Sequence, residues 1–366
     1  MNKIILLLLA VLFPFYPLLA WVFHFVNSKP MMFYLNLLML PVALYYLVNS
    51  SRKLPPYLVA FLLFTLYHVG ISFYTDTLPK NQNAVFFIFS DLNVFACSLF
   101  LIIENTVFDE PYMRRMNRNI LILVGLSLVV SIIQVKNPSF LYDTSIEIEA
   151  YVGEGDVRIA SLYSFAGVNS GGITFPILIA ILLNFYDTSH KLFPLIVIGG
   201  LVVTFLTKAR YVMISSIISF SQLFFSGRVS MQKILSLLMG LVVIVAVVVA
   251  AANQLGFNIN EVIEQRILEK DNEMGSAKAR ITSYEVFMKK FPEHPWFGVG
   301  PATRQDVKDL LGDEAPLIHV GYLSYLYFYG IIGCLFLFLT LFFILRWSWV
   351  IGRQYGFWGA FYGFLG

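Results

Sequence analysis

Three arginines and two histidines sit where this chain meets the ends of long apolar runs, and they are its candidates for chemistry: Arg158, Arg210, Arg280, His294 and His319. An ionisable group at membrane depth costs roughly 3 kcal/mol or more unless it lines a wet cavity. Arg210 follows Thr207 and Lys208 in a short polar gap between two apolar runs, at the mouth of a helix pair; a snorkelling interfacial anchor is the alternative. Arg158 precedes the small polar run 164–172, which can bring backbone close to a ligand; an ordinary salt bridge to Glu154 or Asp156 is the alternative. Arg280 lies one helical turn before Tyr284, where a solvated helix face would also explain it. His319 stands between Ile318 and Val320 where a polar segment becomes apolar, and a neutral imidazole there suits general-base work on a hydroxyl group; an interfacial histidine in a polar niche is the alternative. His294 competes with it from the turn His294-Pro295-Trp296-Phe297-Gly298-Val299-Gly300-Pro301, which reads as a structural elbow. The Gly298 and Gly300 pair lacks the strand-to-helix setting of a phosphate cradle.

Other chemistries find little support. No cluster has metal-ligand spacing, and neither a phosphate-binding Walker motif nor a serine-nucleophile elbow is present, so no metal and no cofactor is expected. Cys97 and Cys334 both lie inside apolar runs, which offers neither a disulfide framework nor a thiolate metal site.

The elements that must position these residues follow from composition. Hydrophobic residues make up 58% of the chain and charged ones 13%, against roughly 45–50% and about 25% in soluble domains. Apolar runs recur at about 4–26, 31–48, 56–74, 84–103, 119–135, 171–186, 192–206, 211–225, 234–252 and 321–345, each able to span a ~30 Å hydrocarbon core as a helix. An all-α polytopic bundle of about 10–11 transmembrane helices, forming one membrane domain over 1–366, is expected. The first run reads as an uncleaved helix rather than a signal peptide. The aromatic stretch 355–365 predicts a further helix, in a natural chain longer than this one.

With the N-terminus inside, the short cytoplasmic segments hold 11 Lys and Arg against 6 outside, which supports a cytoplasmic N-terminus. Two outer segments, 136–172 and 253–320, exceed the roughly 2–8 residues a helix connection needs, so function is sought there. The second carries helical stripes of its own, Ile259, Val262, Ile263 and Ile267, then Ile281, Tyr284, Phe287, Met288 and Phe291 after a Ser276 cap. Both read as amphipathic helices at the outer interface. The net charge of +3 is spread through the loops and gives no nucleic-acid footprint.

Arg158, the helix top Leu206-Thr207-Lys208-Ala209-Arg210, Arg280 with Tyr284, the His294–Pro301 turn, and His319 opening a helix with Gly330-Ile331-Ile332-Gly333 together form a pattern. It resembles the O-antigen ligase and O-antigen polymerase superfamily over roughly 120–345, most strongly over 280–333. Where that family often has asparagine after the histidine and Ser-Arg-Gly at the helix top, this chain has Val320 and Ala209-Arg210-Tyr211.

The resemblance implies a metal-independent, GT-C-like membrane glycosyltransferase that moves a glycan from an undecaprenyl diphosphate carrier outside the cytoplasmic membrane of a bacterium. Arg158, Arg210 and Arg280 would then hold the diphosphate bidentately in place of a divalent metal, and His319 would deprotonate the acceptor for a single inverting displacement. Tyr163, Tyr284, His294, Trp296 and Tyr322 are candidates for contacting sugar, although interfacial belts also collect such aromatics. The expected partners are the undecaprenyl-diphosphate-linked oligosaccharide, membrane lipid and a chain-length regulator protein. A polymerase is favoured over a ligase acting on lipid A core, because the outer helical segment is modest and polymerases are the more divergent group. A lipid-linked glycan transporter or flippase is the rival of another class; it predicts ionisable groups near helix midpoints, broken helices and repeat symmetry between halves, whereas here only Asp91 is plainly intramembrane and the charged groups that stand out gather on the outer side. A non-catalytic scaffold is a third possibility.

Overall fold

The computed structural model describes residues 29–49, 53–74, 88–137, 140, 170–186, 190–206, 210–225, 232, 276–300 and 321–365. Among these there is no strand, and the helices in chain order are α1 (Lys29–Asn49), α2 (Pro56–Tyr74), α3 (Leu92–Glu104), α4 (Glu110–Lys136), α5 (Ser170–Phe185), α6 (Phe193–Leu206), α7 (Arg210–Phe225), α8 (Ser276–Lys290), α9 (Gly321–Tyr355) and α10 (Gly359–Leu365). Three of them, α2, α4 and α9, are long and apolar enough to cross a membrane. The expected spans 4–26 and 234–252 lie outside the described residues.

The chain divides into two units, one of residues 1–50, 98–235 and 343–366, the other of 51–97 and 236–342. In the first, α5 packs against α4, α6, α7 and α10. The interfaces use small and polar groups, as membrane helices do when burial alone gives no advantage over lipid. Thr204 and Ser216 share a hydroxyl hydrogen bond at 2.8 Å, and Gln222 donates its side-chain N–H to the Ala180 carbonyl at 3.1 Å. A side chain on Gly359 would approach the Ala180 carbonyl at 2.6 Å, so glycine is what allows α10 to lie against α5.

Helix α4 shows which solvent the fold expects. Ser127, Ser131 and Gln134 are buried, while Ile122, Leu126, Val129 and Ile132 on its other side are exposed. A polar face turned inward and an apolar face turned outward is the reverse of a soluble helix, and fits a hydrocarbon surround. The helix starts nine residues before the apolar run because Asp109 caps it, its carboxylate accepting the Tyr112 N–H, and Pro111 occupies the first turn. Arg114, Arg115 and Arg118 therefore ride on its first turns.

In the second unit α2 is an uninterrupted apolar helix, while two of its neighbours are broken. Helicity is interrupted at Asp91, between the helical residues 88–90 and α3. Helix α9 is interrupted at Gly330, whose φ of 61° and ψ of −170° are not helical. The expected run 321–345 is thus two helical pieces, and the second continues to Tyr355.

Candidate functional site

The site is built from α8, the turn that follows it and the opening of α9, all in the second unit. Helix α8 begins at Ser276, as expected, and carries Arg280 in its second turn. Its packed face centres on Ser283 and Phe287; Met288, counted in the apolar stripe by periodicity, is exposed. Phe287 is buried with Leu323 and Tyr327 of α9, and Phe291, Val299, Leu326 and Phe328 close round them. Phe287 and Phe291 stack with ring centroids 4.7 Å apart. One turn from this core the Tyr284 and Tyr322 hydroxyls are hydrogen-bonded to each other, with both rings substantially exposed.

Pro292 converts the end of α8 into a single 3-10 turn, Phe291–Glu293, and the chain then folds back through His294 to Gly300. This turn fills the break in α9. The break strips three consecutive carbonyls of helical partners, and each is satisfied from elsewhere. Val299 N–H donates to the Tyr327 carbonyl at 3.1 Å and Gly300 N–H to that of Phe328 at 2.9 Å. The Tyr67 hydroxyl reaches the Tyr329 carbonyl at 2.9 Å and the Phe297 carbonyl at 2.6 Å. In return Ile331 and Ile332 donate to the carbonyls of Pro295 and Trp296 at 2.9 and 3.1 Å. Gly298 and Gly300, with φ of 74° and 82°, let the turn run close enough to do this.

The Gly330-Ile331-Ile332-Gly333 pattern now has a physical meaning. Gly330 supplies the left-handed backbone of the break, and Gly333 lies under the Tyr67 ring, where a Cβ would meet the ring at 2.5 Å. Behind the break the Tyr329 hydroxyl contacts His68 Nδ1 at 2.9 Å, and His68 Nε2 contacts Asp91 Oδ2 at 2.8 Å. Reasoning from sequence missed Tyr67 and His68. A histidine inside an apolar run, with an aspartate at the break in a neighbouring one, was the available signal.

Of the residues expected at a site, Tyr284 and Tyr322 meet through their hydroxyls, with Arg280 one turn from Tyr284 on α8, while His294 and Trp296 lie in the turn seated on the break of α9, at the level of Ile331 and Ile332. Trp296 and His294 are exposed, and His294 contributes its backbone to the turn, donating to the Phe291 carbonyl and accepting from Gly298 N–H. Arg210 is the first residue of α7, in the other unit. Arg158, Tyr163 and His319 lie outside the described residues. Among the described residues, no group of three or more His, Cys, Asp or Glu gathers to hold a metal.

What the arrangement offers is a glycine-dependent turn with an exposed tryptophan and histidine, and, nearer the start of α9, an exposed tyrosine pair. No curated protein matches the chain. Residues 195–338 match the family model described as O-antigen ligase, whose members are glycosyltransferase-like enzymes acting on glycans. That segment contains α7, α8, the turn and the broken opening of α9, so over it this membrane-embedded chain is similar to the O-antigen ligase and polymerase superfamily, as the motifs from Arg280 to Gly333 implied.

Proposed function

We propose that the chain is a GT-C-like membrane glycosyltransferase that polymerises lipid-linked oligosaccharide repeat units on the outer side of a bacterial cytoplasmic membrane, with undecaprenyl diphosphate as leaving group. The observation that carries this reading is the coincidence of the family match with the packed assembly of α8, turn and α9. In this reading the site draws on the outer segments 136–172 and 253–320. Arg158, Arg210 and Arg280 bind the diphosphate and neutralise the charge that develops as it leaves. His319 takes the proton of the acceptor hydroxyl, which attacks the anomeric carbon and displaces the diphosphate in one inverting step. The lipid tail lies along bundle helices, and a chain-length regulator is the protein partner.

A second reading, transfer to lipid A core, is favoured by the description of the matching family as a ligase. A transporter draws on the interrupted helices at Asp91 and Gly330, since broken helices expose backbone groups to substrate or ion. At Gly330, however, the Tyr327, Phe328 and Tyr329 carbonyls and the Ile331 and Ile332 N–H groups are already bonded to the chain's own turn and Tyr67, which weighs against that reading.

The test is a reconstituted assay of the full chain with undecaprenyl-diphosphate oligosaccharide in EDTA, comparing unaltered protein with His319→Ala and Arg280→Ala. A glycan ladder from unaltered protein alone, with all samples folded, is the expected result. Undiminished ladders in both variants would remove these residues from the site. Product only when lipid A core is supplied would establish the ligase reading instead.

A further inference from the structure

The Asp91, His68 and Tyr329 side chains form a buried hydrogen-bonded chain that the proposed reaction leaves unused. The His68 side chain is 5% exposed and that of Asp91 12%. With a neutral imidazole one proton arrangement serves both bonds: the Tyr329 O–H donates to Nδ1, and Nε2–H donates to the Asp91 carboxylate. The other carboxylate oxygen accepts the Asn93 and Val94 N–H groups at 2.8 and 3.0 Å, capping α3. Each end of the chain thus stops at a helix interruption, Asp91 before α3 and Tyr329 immediately before Gly330.

His68 and Tyr67 are consecutive on α2, so they point about 100° apart round that helix. They reach Tyr329 from two directions, His68 at its hydroxyl and Tyr67 at its carbonyl, and Tyr67 also holds the Phe297 carbonyl of the turn. The Phe64 ring completes the seat edge-on against Tyr329, with centroids 5.2 Å apart. Helix α2 lies outside the segment matched by the family, residues 195–338.

We propose that Tyr67 and His68 are positioning residues, with Asp91 orienting His68, that fix the register of the 294–300 turn on broken α9; their role in turnover rests on the reading that this turn belongs to a glycan-transfer site. Without the Tyr67 hydroxyl, two carbonyls lose their shared donor where helix geometry supplies no replacement. Without His68, the Tyr329 ring loses the contact that ties it to α3 through Asp91. The turn then slides relative to α9, while the rest of the unit keeps its apolar packing.

The test is hydrogen exchange by mass spectrometry on the full chain in lipid nanodiscs, alongside transfer kinetics, for Tyr67→Phe, Tyr329→Phe and His68→Gln. Leu66→Ala, at an exposed position of α2, is the control. Peptides holding Val299, Gly300, Ile331 and Ile332 should exchange about tenfold faster in the three variants and not in the control. With lipid-linked donor, kcat should fall about tenfold or more with KM nearly unchanged, as expected when geometry rather than binding is lost. Unchanged exchange in Tyr67→Phe and His68→Gln would overturn the proposal, and so would faster exchange with kcat intact. If unaltered protein forms no product, the glycan-transfer reading fails, and exchange alone decides whether these residues set the register.

Discussion

Gly298 and Gly330 cross backbone against backbone: a Cβ built on Gly330 would run into the Trp296 carbonyl, and one built on Gly298 into that of Phe328. Both residues also have positive φ, at 74° and 61°. Either alanine substitution therefore meets backbone strain and a collision with atoms that cannot rotate away. We expect Gly298→Ala and Gly330→Ala each to cost about 2–4 kcal/mol, read as a drop in the thermal unfolding midpoint of purified protein. Gly125→Ala, in α4 with nothing within 4 Å of the new methyl, should instead stabilise by up to about 1 kcal/mol.

Gly333 is helical, so alanine there would ordinarily help. The Tyr67 ring reverses the sign, lying 2.5 Å from the would-be Cβ. Gly333→Ala should destabilise by about 1–3 kcal/mol, and the loss should shrink when combined with Tyr67→Ala. A double-mutant cycle giving simple additivity would show that the two positions are not in contact.

Phe287 and Met288 are adjacent on α8 but one is packed and the other exposed, at 7% and 70% exposure. Phe287→Ala should cost about 3–5 kcal/mol and loosen α8 from α9, whereas Met288→Ala should be near neutral. Limited proteolysis between α8 and the turn checks both.

The Asp109 cap of α4 accepts the Tyr112 N–H at 3.0 Å, and Asp109→Ala should cost about 1 kcal/mol. The pair of Arg114 with Glu110 has good geometry, but both side chains are largely exposed, at 79% and 74%. Arg114→Ala should change stability by only about 0.5 kcal/mol or less. Denaturant titration of the two variants separates these effects.

The Tyr284 and Tyr322 rings are substantially exposed while their hydroxyls pair with each other. If they stack on sugar, Tyr284→Phe and Tyr322→Phe should keep most transfer activity. Alanine at either position should raise the KM for donor about tenfold, roughly 1.4 kcal/mol.

Much of the architecture is legible along the chain because its cause is local. An apolar run long enough to span hydrocarbon becomes a helix, Ser276 opens α8, and Pro292 ends it. The early start of α4 is written in Asp109 followed by Pro111, a cap that lies ahead of the apolar run and outside its hydropathy signal. Periodicity alone grouped Met288 with Phe287 because adjacent residues on a helix are about 100° apart, and a stripe that wide cannot say which edge is packed.

By itself the sequence determined an all-helical membrane chain and the motif from Arg280 to Gly333, since both depend on residue type and short-range spacing. Tertiary structure decided why that motif has its glycines. The run through Gly330 is unbroken in hydropathy, and nothing within it announces an interruption. Only the turn at Pro295–Gly300, about thirty residues earlier in sequence, and Tyr67, 262 residues from Tyr329, supply the hydrogen bonds that make the break affordable. The pairing of His68 with Asp91 and Tyr329, 23 and 261 residues distant, was hidden for the same reason. A buried polar group must find its partner in space, and distance along the chain does not encode which partner that is.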